Sequence, residues 1–152
     1  MKKFFKGFAY AGRGIFEALK QRNFRFHICA ALSVIFFGVK FYSFSRGEWA
    51  ALLLTIMSVL ALEAINTAIE KLADKACPEQ NVLIRKCKDC AAGAVLIAAI
   101  FSVIIGAVLF WNTERFYLIV QYFSEPARLA ILILVLALFW GFIFFPKNRN
   151  NK

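Results

Sequence analysis

Four apolar blocks, each about 20 residues long, dominate this chain of 152 residues. A helix of about 20 residues is what crossing a hydrocarbon core roughly 30 Å thick requires. The chain is 61% hydrophobic and contains 18 Phe, so it carries more apolar surface than a soluble domain of this size buries in one core. The sequence therefore predicts an all-α membrane protein.

The blocks and the segments between them set the predicted organisation. Residues 4–25 mix aromatic side chains with lysine and arginine, which is typical of an amphipathic helix lying on the membrane surface. Pro78 is expected to end the helix of the second span. The predicted transmembrane spans are residues 26–44, 48–70, 91–111 and 127–145.

Lysine and arginine are distributed unequally between the two sides of this layout. One side receives the N-terminal segment, the polar loop between the second and third spans and the C-terminal tail, with seven, five and three Lys or Arg residues. Only Lys40, Arg46, Arg115 and Arg128 remain for the other side. The positive-inside rule therefore predicts cytoplasmic termini. Topology and anionic headgroups explain the net charge of +10, so a nucleic-acid partner is not needed.

The second span carries acids within an apolar helix, in the segment LEAINTAIEKLAD (62–74). At about 100° per residue, Glu63, Glu70 and Asp74 fall within about 40° of one another, and Asn66 flanks the same stripe. A carboxylate inside a spanning helix costs about 2.5–3.5 kcal/mol on insertion scales, so such a residue is a functional candidate. The alternative is a structural pairing with a polar side chain of a neighbouring helix.

The acidic stripe ends at the cytoplasmic surface, close to the start of the third span at Lys88 and Asp89. Acids that hold Mg²⁺ and a lysine that meets phosphate oxygens are what phosphoryl transfer from a nucleotide requires. A base at membrane depth is what a lipid hydroxyl requires. The chain has no Walker A pattern, which excludes an ordinary P-loop kinase. The residues alone indicate a membrane protein with a cytoplasm-facing acidic site.

Four segments, in this order and spacing, resemble the prokaryotic diacylglycerol kinase family, which includes the undecaprenol kinases of Gram-positive bacteria. They are QRNFRFH (21–27), GEW (47–49), LEAINTAIEKLAD (62–74) and KCKDCAAGAVLIA (86–98). The resemblance covers residues 5–110. It implies a homotrimer of three-span protomers with a surface helix, in the bacterial inner membrane, that phosphorylates a lipid alcohol with ATP and Mg²⁺. Active sites would be shared between neighbouring chains. The segments look closer to the Gram-positive type, which favours undecaprenol over diacylglycerol.

The resemblance also implies roles for individual residues at membrane depth. Glu63 would be the general base for the lipid hydroxyl, Asn66 would organise the site, and Glu70 would be a Mg²⁺ ligand. Well-known members of the family have a second metal-binding Glu on the surface helix, where this chain has Gln21. An amide oxygen ligates Mg²⁺ without adding charge, so we expect weaker metal affinity, or substitution by Glu17 one turn earlier.

The remaining implied roles concern the nucleotide and the C-terminal region. Asp74, Lys88 and Asp89 would form the ATP-binding side of the site. Residues 1–112 would be the lipid kinase core, and residues 113–152 an extracytoplasmic connection, an extra transmembrane helix and a basic tail. The three-span family core lacks that fourth span, so we expect a peripheral helix with no catalytic part.

Two other functions explain part of the pattern. A small proton-coupled transporter would use Glu63 to bind a cation and a proton alternately, but it leaves the acids and lysine at the cytoplasmic edge unexplained. It also predicts no dependence on ATP. A catalytically impaired family member would account for Gln21, and it predicts weak nucleotide binding that Gln21→Glu leaves unchanged.

Overall fold

The computed structural model describes residues 2–76 and 81–144, with side chains from Phe5 onward. Within these ranges the chain forms α-helices and no strand. Four of the helices are long and apolar enough to cross a membrane, namely α2, α3, α4 and α6 below. The protein is therefore an all-α membrane protein, as predicted. The helices are α1 (Lys2–Leu19), α2 (Arg22–Phe41), α3 (Arg46–Ala76), α4 (Val82–Phe110), α5 (Thr113–Phe123) and α6 (Pro126–Phe144).

The boundary between the surface helix and the first span differs from the prediction. Helix α1 ends at Leu19, and Gln21 is extended, with φ −84° and ψ 135°. Helix α2 then begins at Arg22, so the prediction of one surface helix through residue 25 is wrong at this point. The physical reason is that the chain must turn from the membrane surface into the bilayer before its apolar residues begin. The NFR segment thus lies in the first turn of a spanning helix.

Helices α3 and α4 extend beyond their predicted spans at the same end of the bundle. Helix α3 continues past residue 70 to Ala76, because Glu, Lys and Ala are strong helix formers in water as well as in lipid. Helix α4 begins well before residue 91, where Asn81 Oδ1 accepts a hydrogen bond from Leu83 N at 2.8 Å and caps the helix. Both helices therefore carry polar turns beyond the apolar core.

Two predicted features lie outside the described residues. One is the helix stop at Pro78, within residues 77–80, and the other is the basic tail, within residues 145–152.

The main helix pair is α3 with α4, and α2 packs against α3. At one end of the bundle four aromatic rings, those of Tyr42, Phe44, Trp49 and Phe110, lie with centroids 4.9–5.5 Å apart. The Tyr42 hydroxyl also donates a hydrogen bond to the Phe110 carbonyl oxygen at 2.8 Å. Aromatic rings of this kind concentrate at membrane interfaces, so the cluster marks one end of the spanning region.

The C-terminal region adds two helices to one side of this core. The connection after the third span is helical, as α5, with Asn112 Oδ1 capping its first turn at 3.0 Å from Arg115 N. Helix α6 packs against α2 and α5. Among the described residues, none of α4 or α6 is buried within the single chain, so both helices present apolar surface outward.

Candidate functional site

A polar pocket of about 180 Å³ lies where the break between α1 and α2 meets α3. It is at the opposite end of α2 from the aromatic cluster. Three of the predicted site residues meet in it, since Gln21 lies in the break and Glu63 and Glu70 lie on α3. The lining residues are Gln21, Arg22, Asn23, Glu63, Thr67 and Glu70.

Glu63 is the buried acid of this pocket, with only 3% of its surface exposed. It lies on α3 where α2 crosses, and Asn23 of α2 forms a side-chain hydrogen bond with it. An amide donor of this kind fixes the carboxylate in one orientation. Glu63 is thus a carboxylate that is shielded from water, held in place and open to the pocket.

Glu70 lies two turns further along α3 and is held by Asn66. The Asn66 Nδ2 atom donates a hydrogen bond to Glu70 Oε1 at 3.2 Å, the i to i+4 contact of one helix face. Asn66 itself is buried, and its Oδ1 atom has no hydrogen-bond partner among the described residues. A buried acceptor without a partner is costly in an apolar protein interior. It therefore supplies an oxygen that a cation or a bound hydroxyl can use.

Side chains with oxygen atoms of the types that bind Mg²⁺ line this pocket. Gln21 is the N-cap residue of α2, yet its side chain makes no capping hydrogen bond and instead lines the pocket. Carboxylate and amide oxygens are the ligands that Mg²⁺ accepts, and Glu63, Glu70 and Gln21 all face the pocket. No group of three or more His, Cys, Asp or Glu side chains suited to a metal occurs in the described part of the chain.

Glu17, the predicted substitute for the missing acid, has other partners. It forms an ion pair with Lys20, and its Oε2 atom lies 2.7 Å from Lys71 Nζ on α3. These two lysines lower the pKa of Glu17 to about 2. Glu17 does not line the pocket. The structure therefore corrects that prediction, because the carboxylate ties the surface helix to α3.

The predicted nucleotide-binding residues lie at the rim, one turn beyond Glu70. Lys88 Nζ of α4 is 2.8 Å from Asp74 Oδ1 of α3. This ion pair joins the polar extensions of the two helices, and Asp89 is exposed beside it. The structure brings these residues near the mouth of the pocket rather than into its lining.

Three lining residues received no individual role from the sequence, namely Arg22, Asn23 and Thr67, of which Thr67 lies beside the acidic stripe of α3. Arg22 and Asn23 belong to the QRNFRFH segment, a recognisable motif that does not show which of its side chains face α3. Arg22 also touches α6, with its guanidinium carbon 5.9 Å from the centroid of the Phe144 ring, and Arg25 lies 5.7 Å from that of Phe142. The end of the extra helix thus contacts the turn that builds the pocket.

A separate apolar cavity of about 110 Å³ lies further along the spanning region, between α2, α3 and α4, and it shares no lining residue with the polar pocket. Its lining includes His27, one turn beyond Asn23, and Leu60, one turn before Glu63. It extends toward Leu52 and Phe110 near the aromatic cluster. Fold and cavities together define a helical membrane protein with an acidic pocket at one membrane surface and a separate apolar cavity in the spanning region.

Comparison with known proteins places this arrangement in a family. The prokaryotic diacylglycerol kinase model matches residues 9–110. The undecaprenol kinase of Bacillus subtilis is 41% identical over 111 residues, which is 72% of this chain and 89% of that protein. The diacylglycerol kinase of Synechocystis sp. is 40% identical over 67% of this chain and 59% of its own length. That of Escherichia coli K12 is 38% identical over 40% of this chain and 50% of its own length.

The residues that the family model matches cover α2, α3, α4 and most of α1, and they include every lining residue of the polar pocket. The chain belongs to the prokaryotic diacylglycerol kinase family, a family of lipid kinases. No solved structure gives a significant match to it.

Proposed function

We propose that this protein transfers the γ-phosphate of ATP to the hydroxyl group of a membrane lipid alcohol, with Glu63 as the general base. The observation that carries the proposal is the position of Glu63, a buried carboxylate that lines the polar pocket one turn from Leu60 of the apolar cavity. A lipid alcohol likewise combines a polar part with an apolar part, since it has one hydroxyl group on a long apolar chain. Its chain would enter the cavity between α2, α3 and α4, and its hydroxyl would reach Glu63.

Phosphoryl transfer to the lipid requires that the proton of this hydroxyl be removed. The Glu63 carboxylate accepts it as the oxygen attacks phosphorus, and a positioned base of this kind contributes about 10²–10⁴-fold to a rate. The hydrogen bond with Asn23 keeps the carboxylate turned toward the pocket. Burial excludes water, which would otherwise compete with the lipid for the phosphoryl group.

Glu70 and Gln21 would hold Mg²⁺, with Asn66 fixing the Glu70 carboxylate and offering its own free oxygen. When bound, the ion would neutralise charge on the phosphate oxygens. At the rim, Lys88 would leave Asp74 to meet the phosphates, and Asp89 would lie beside the nucleotide. The family resemblance implies these roles, and the donor types and their order along α3 and α4 support them.

Undecaprenol is the proposed acceptor in preference to diacylglycerol. The support is that the relative matched over 89% of its length is named an undecaprenol kinase. We further propose a homotrimer in the bacterial inner membrane with both termini in the cytoplasm. The support for the trimer is the family resemblance, and α4 offers a neighbouring chain an outward apolar surface that includes Leu96, Ile100 and Val103.

The direct test is transfer of labelled γ-phosphate from ATP, with Mg²⁺, to undecaprenol and to diacylglycerol in detergent micelles. Glu63→Gln should reduce transfer about 100-fold or more, since it removes only the base. Glu114→Gln, an exposed change in α5, is the matched control and should retain wild-type transfer. Native mass spectrometry of the same preparation counts the chains, and a mass other than three chains rejects the trimer.

Two results would contradict the proposal. Transfer by Glu63→Gln above a tenth of the wild-type rate would remove Glu63 as the base. No transfer to either lipid, with Gln21→Glu failing to restore it, would favour the non-catalytic or transporter function. Family membership already favours the kinase over the transporter.

A further inference from the structure

A second charged pocket lies at the other end of the molecule from Glu63. It is open, has a volume of about 500 Å³, and is bounded by the end of α2, by α5 and by the start of α6. Lys40 at this end and Arg22 at the catalytic end are separated by about 27 Å along α2, at 1.5 Å per residue. The lining residues are Lys40, Phe41, Arg115, Leu118, Gln121, Tyr122, Glu125 and Arg128.

The basic residues of this end are gathered in the pocket. The charge distribution of the sequence assigns only four Lys or Arg residues to this side of the membrane, and three of them, Lys40, Arg115 and Arg128, line one pocket. The fourth, Arg46, does not line it. A side of the membrane that is otherwise poor in positive charge thus concentrates it at one place.

The Tyr122 ring holds two of these cations close together. The Arg128 guanidinium carbon lies 4.2 Å from the ring centroid, and Lys40 Nζ lies 5.2 Å from it. Glu125, whose Oε2 is 2.8 Å from Arg128 Nε, is the one acid in the lining. Three cations against one carboxylate leave a net positive charge, and an anion in the pocket would relieve the repulsion between them.

The apolar wall residues of this pocket and its position in the molecule indicate the chemical class of the anion that it binds. Phe41, Leu118 and the Tyr122 ring lie beside the cations, so the pocket offers apolar surface as well as charge. It lies where the end of α2 meets the start of α6, and the ends of spanning helices are expected where headgroups meet hydrocarbon. Basic pockets between transmembrane helices are suited to phosphate headgroups. A free ion would leave the apolar walls unused.

We propose that this pocket binds the phosphate of an anionic membrane lipid, in the leaflet opposite the catalytic pocket. The site uses no residue of the catalytic pocket. It lies mainly on α5 and α6, beyond residues 9–110 that the family model matches, so it is independent of the proposed kinase function.

The test is native mass spectrometry of the full chain in detergent, titrated with phosphatidylglycerol and, separately, with zwitterionic phosphatidylcholine. Lys40→Gln and Arg115→Gln should each weaken phosphatidylglycerol binding about fivefold or more. Arg46→Gln removes the same charge on the same side outside the pocket, and it should change binding less than twofold. Lys40→Arg keeps the charge and should retain the wild-type affinity, which separates loss of charge from loss of fold.

The following results would overturn the proposal or its assignment of the phosphate to a lipid. Equal weakening by Arg46→Gln, or no weakening by either pocket variant, removes the site. A wild-type chain that binds phosphatidylcholine as tightly as phosphatidylglycerol removes the preference for an anion. Displacement of phosphatidylglycerol by inorganic phosphate at millimolar concentration keeps a phosphate site but rejects its assignment to lipid.

Discussion

At the scale of single residues, the charge of the pocket is set by position 21. Gln21 lines the pocket with Glu63 and Glu70 but brings no charge, so of the two proposed Mg²⁺ ligands only Glu70 is a carboxylate. Gln21 does not cap α2 with its side chain, so a substitution there alters the pocket without removing a helix cap. The position therefore tests the metal site without disturbing the fold.

Gln21→Glu should lower the Mg²⁺ concentration needed for half-maximal phosphoryl transfer by about 3–10-fold, because an added carboxylate strengthens binding of a hard cation. The measurement is initial rate against Mg²⁺ concentration at saturating ATP. Gln121→Glu, on α5 and outside the lining of this pocket, adds the same charge and should leave the curve unchanged. An unchanged or raised Mg²⁺ requirement in Gln21→Glu would contradict a metal role for this position.

The prediction of this site from sequence succeeded where one helix carries the residues. Helical periodicity alone aligned Glu63 with Glu70, and the structure places both in one pocket. Periodicity has no information on which side chains of α2 cross α3, so Asn23 and Arg22 were missed. Periodicity also could not show the partner of Glu17. Its spacing before Gln21 suggested a place in the site, but its side chain pairs with Lys71.

At the scale of elements, Glu17 attaches the surface helix to α3, and the strength of this attachment depends on pH. Its pKa in the folded protein is about 2, below the usual 4.5. A lowered pKa stabilises the fold above pH 4.5, and this contribution is lost as the pH falls toward 2. Glu17→Gln should therefore lower the melting temperature at pH 7 and low salt, and the difference from wild type should shrink below pH 4.5.

Thermal unfolding followed by circular dichroism at several pH values measures this difference. Glu114→Gln on α5 serves as the control for loss of one carboxylate. A difference between wild type and Glu17→Gln that stays constant from pH 7 to pH 3 would show that the ion pair does not contribute.

Helices α2 and α3 approach closely at Gly38, beside the aromatic cluster. A Cβ atom at this position would lie 3.0 Å from Phe44 Cε2 and 3.1 Å from Trp49 Cη2. Gly38→Val should therefore destabilise the fold by about 1–3 kcal/mol through overpacking. Gly141→Val is the matched control, because nothing lies within 4 Å of its Cβ position. Equal melting temperatures for the two variants would show that the rings move aside without cost.

At the scale of the whole molecule, the spans followed from hydropathy but the ends of their helices did not. Four apolar blocks suffice to predict four crossings, since lipid demands about 20 apolar residues per helix. The added turns of α3 and α4 mix apolar side chains with charged ones such as Lys71 and Arg85, and hydropathy does not distinguish helix from loop in such segments. The sequence also did not predict how the helices pack, for example the contact of α6 with the turn at Arg22.

Four crossings with cytoplasmic termini predict the side of each connection. Green fluorescent protein fused after residue 152 should fluoresce in the cytoplasm, and alkaline phosphatase fused after residue 112 should be active outside the inner membrane. The positive-inside rule is the physical reason, because the loops of one side carry most of the lysine and arginine. The reverse pattern of activities would invert the topology and with it the placement of both pockets.

Because Lys88 forms an ion pair with Asp74, the proposed binding of a nucleotide requires Lys88 to exchange the carboxylate for phosphate oxygens. Phosphate oxygens would not meet a free lysine, since its ammonium already has a carboxylate at 2.8 Å. The affinity gained from Lys88 is then the difference between two charge pairs, and an exposed pair is worth only about 0–1 kcal/mol. The released Asp74 carboxylate would repel a bare triphosphate, so this rim discriminates against ATP that arrives without its cation.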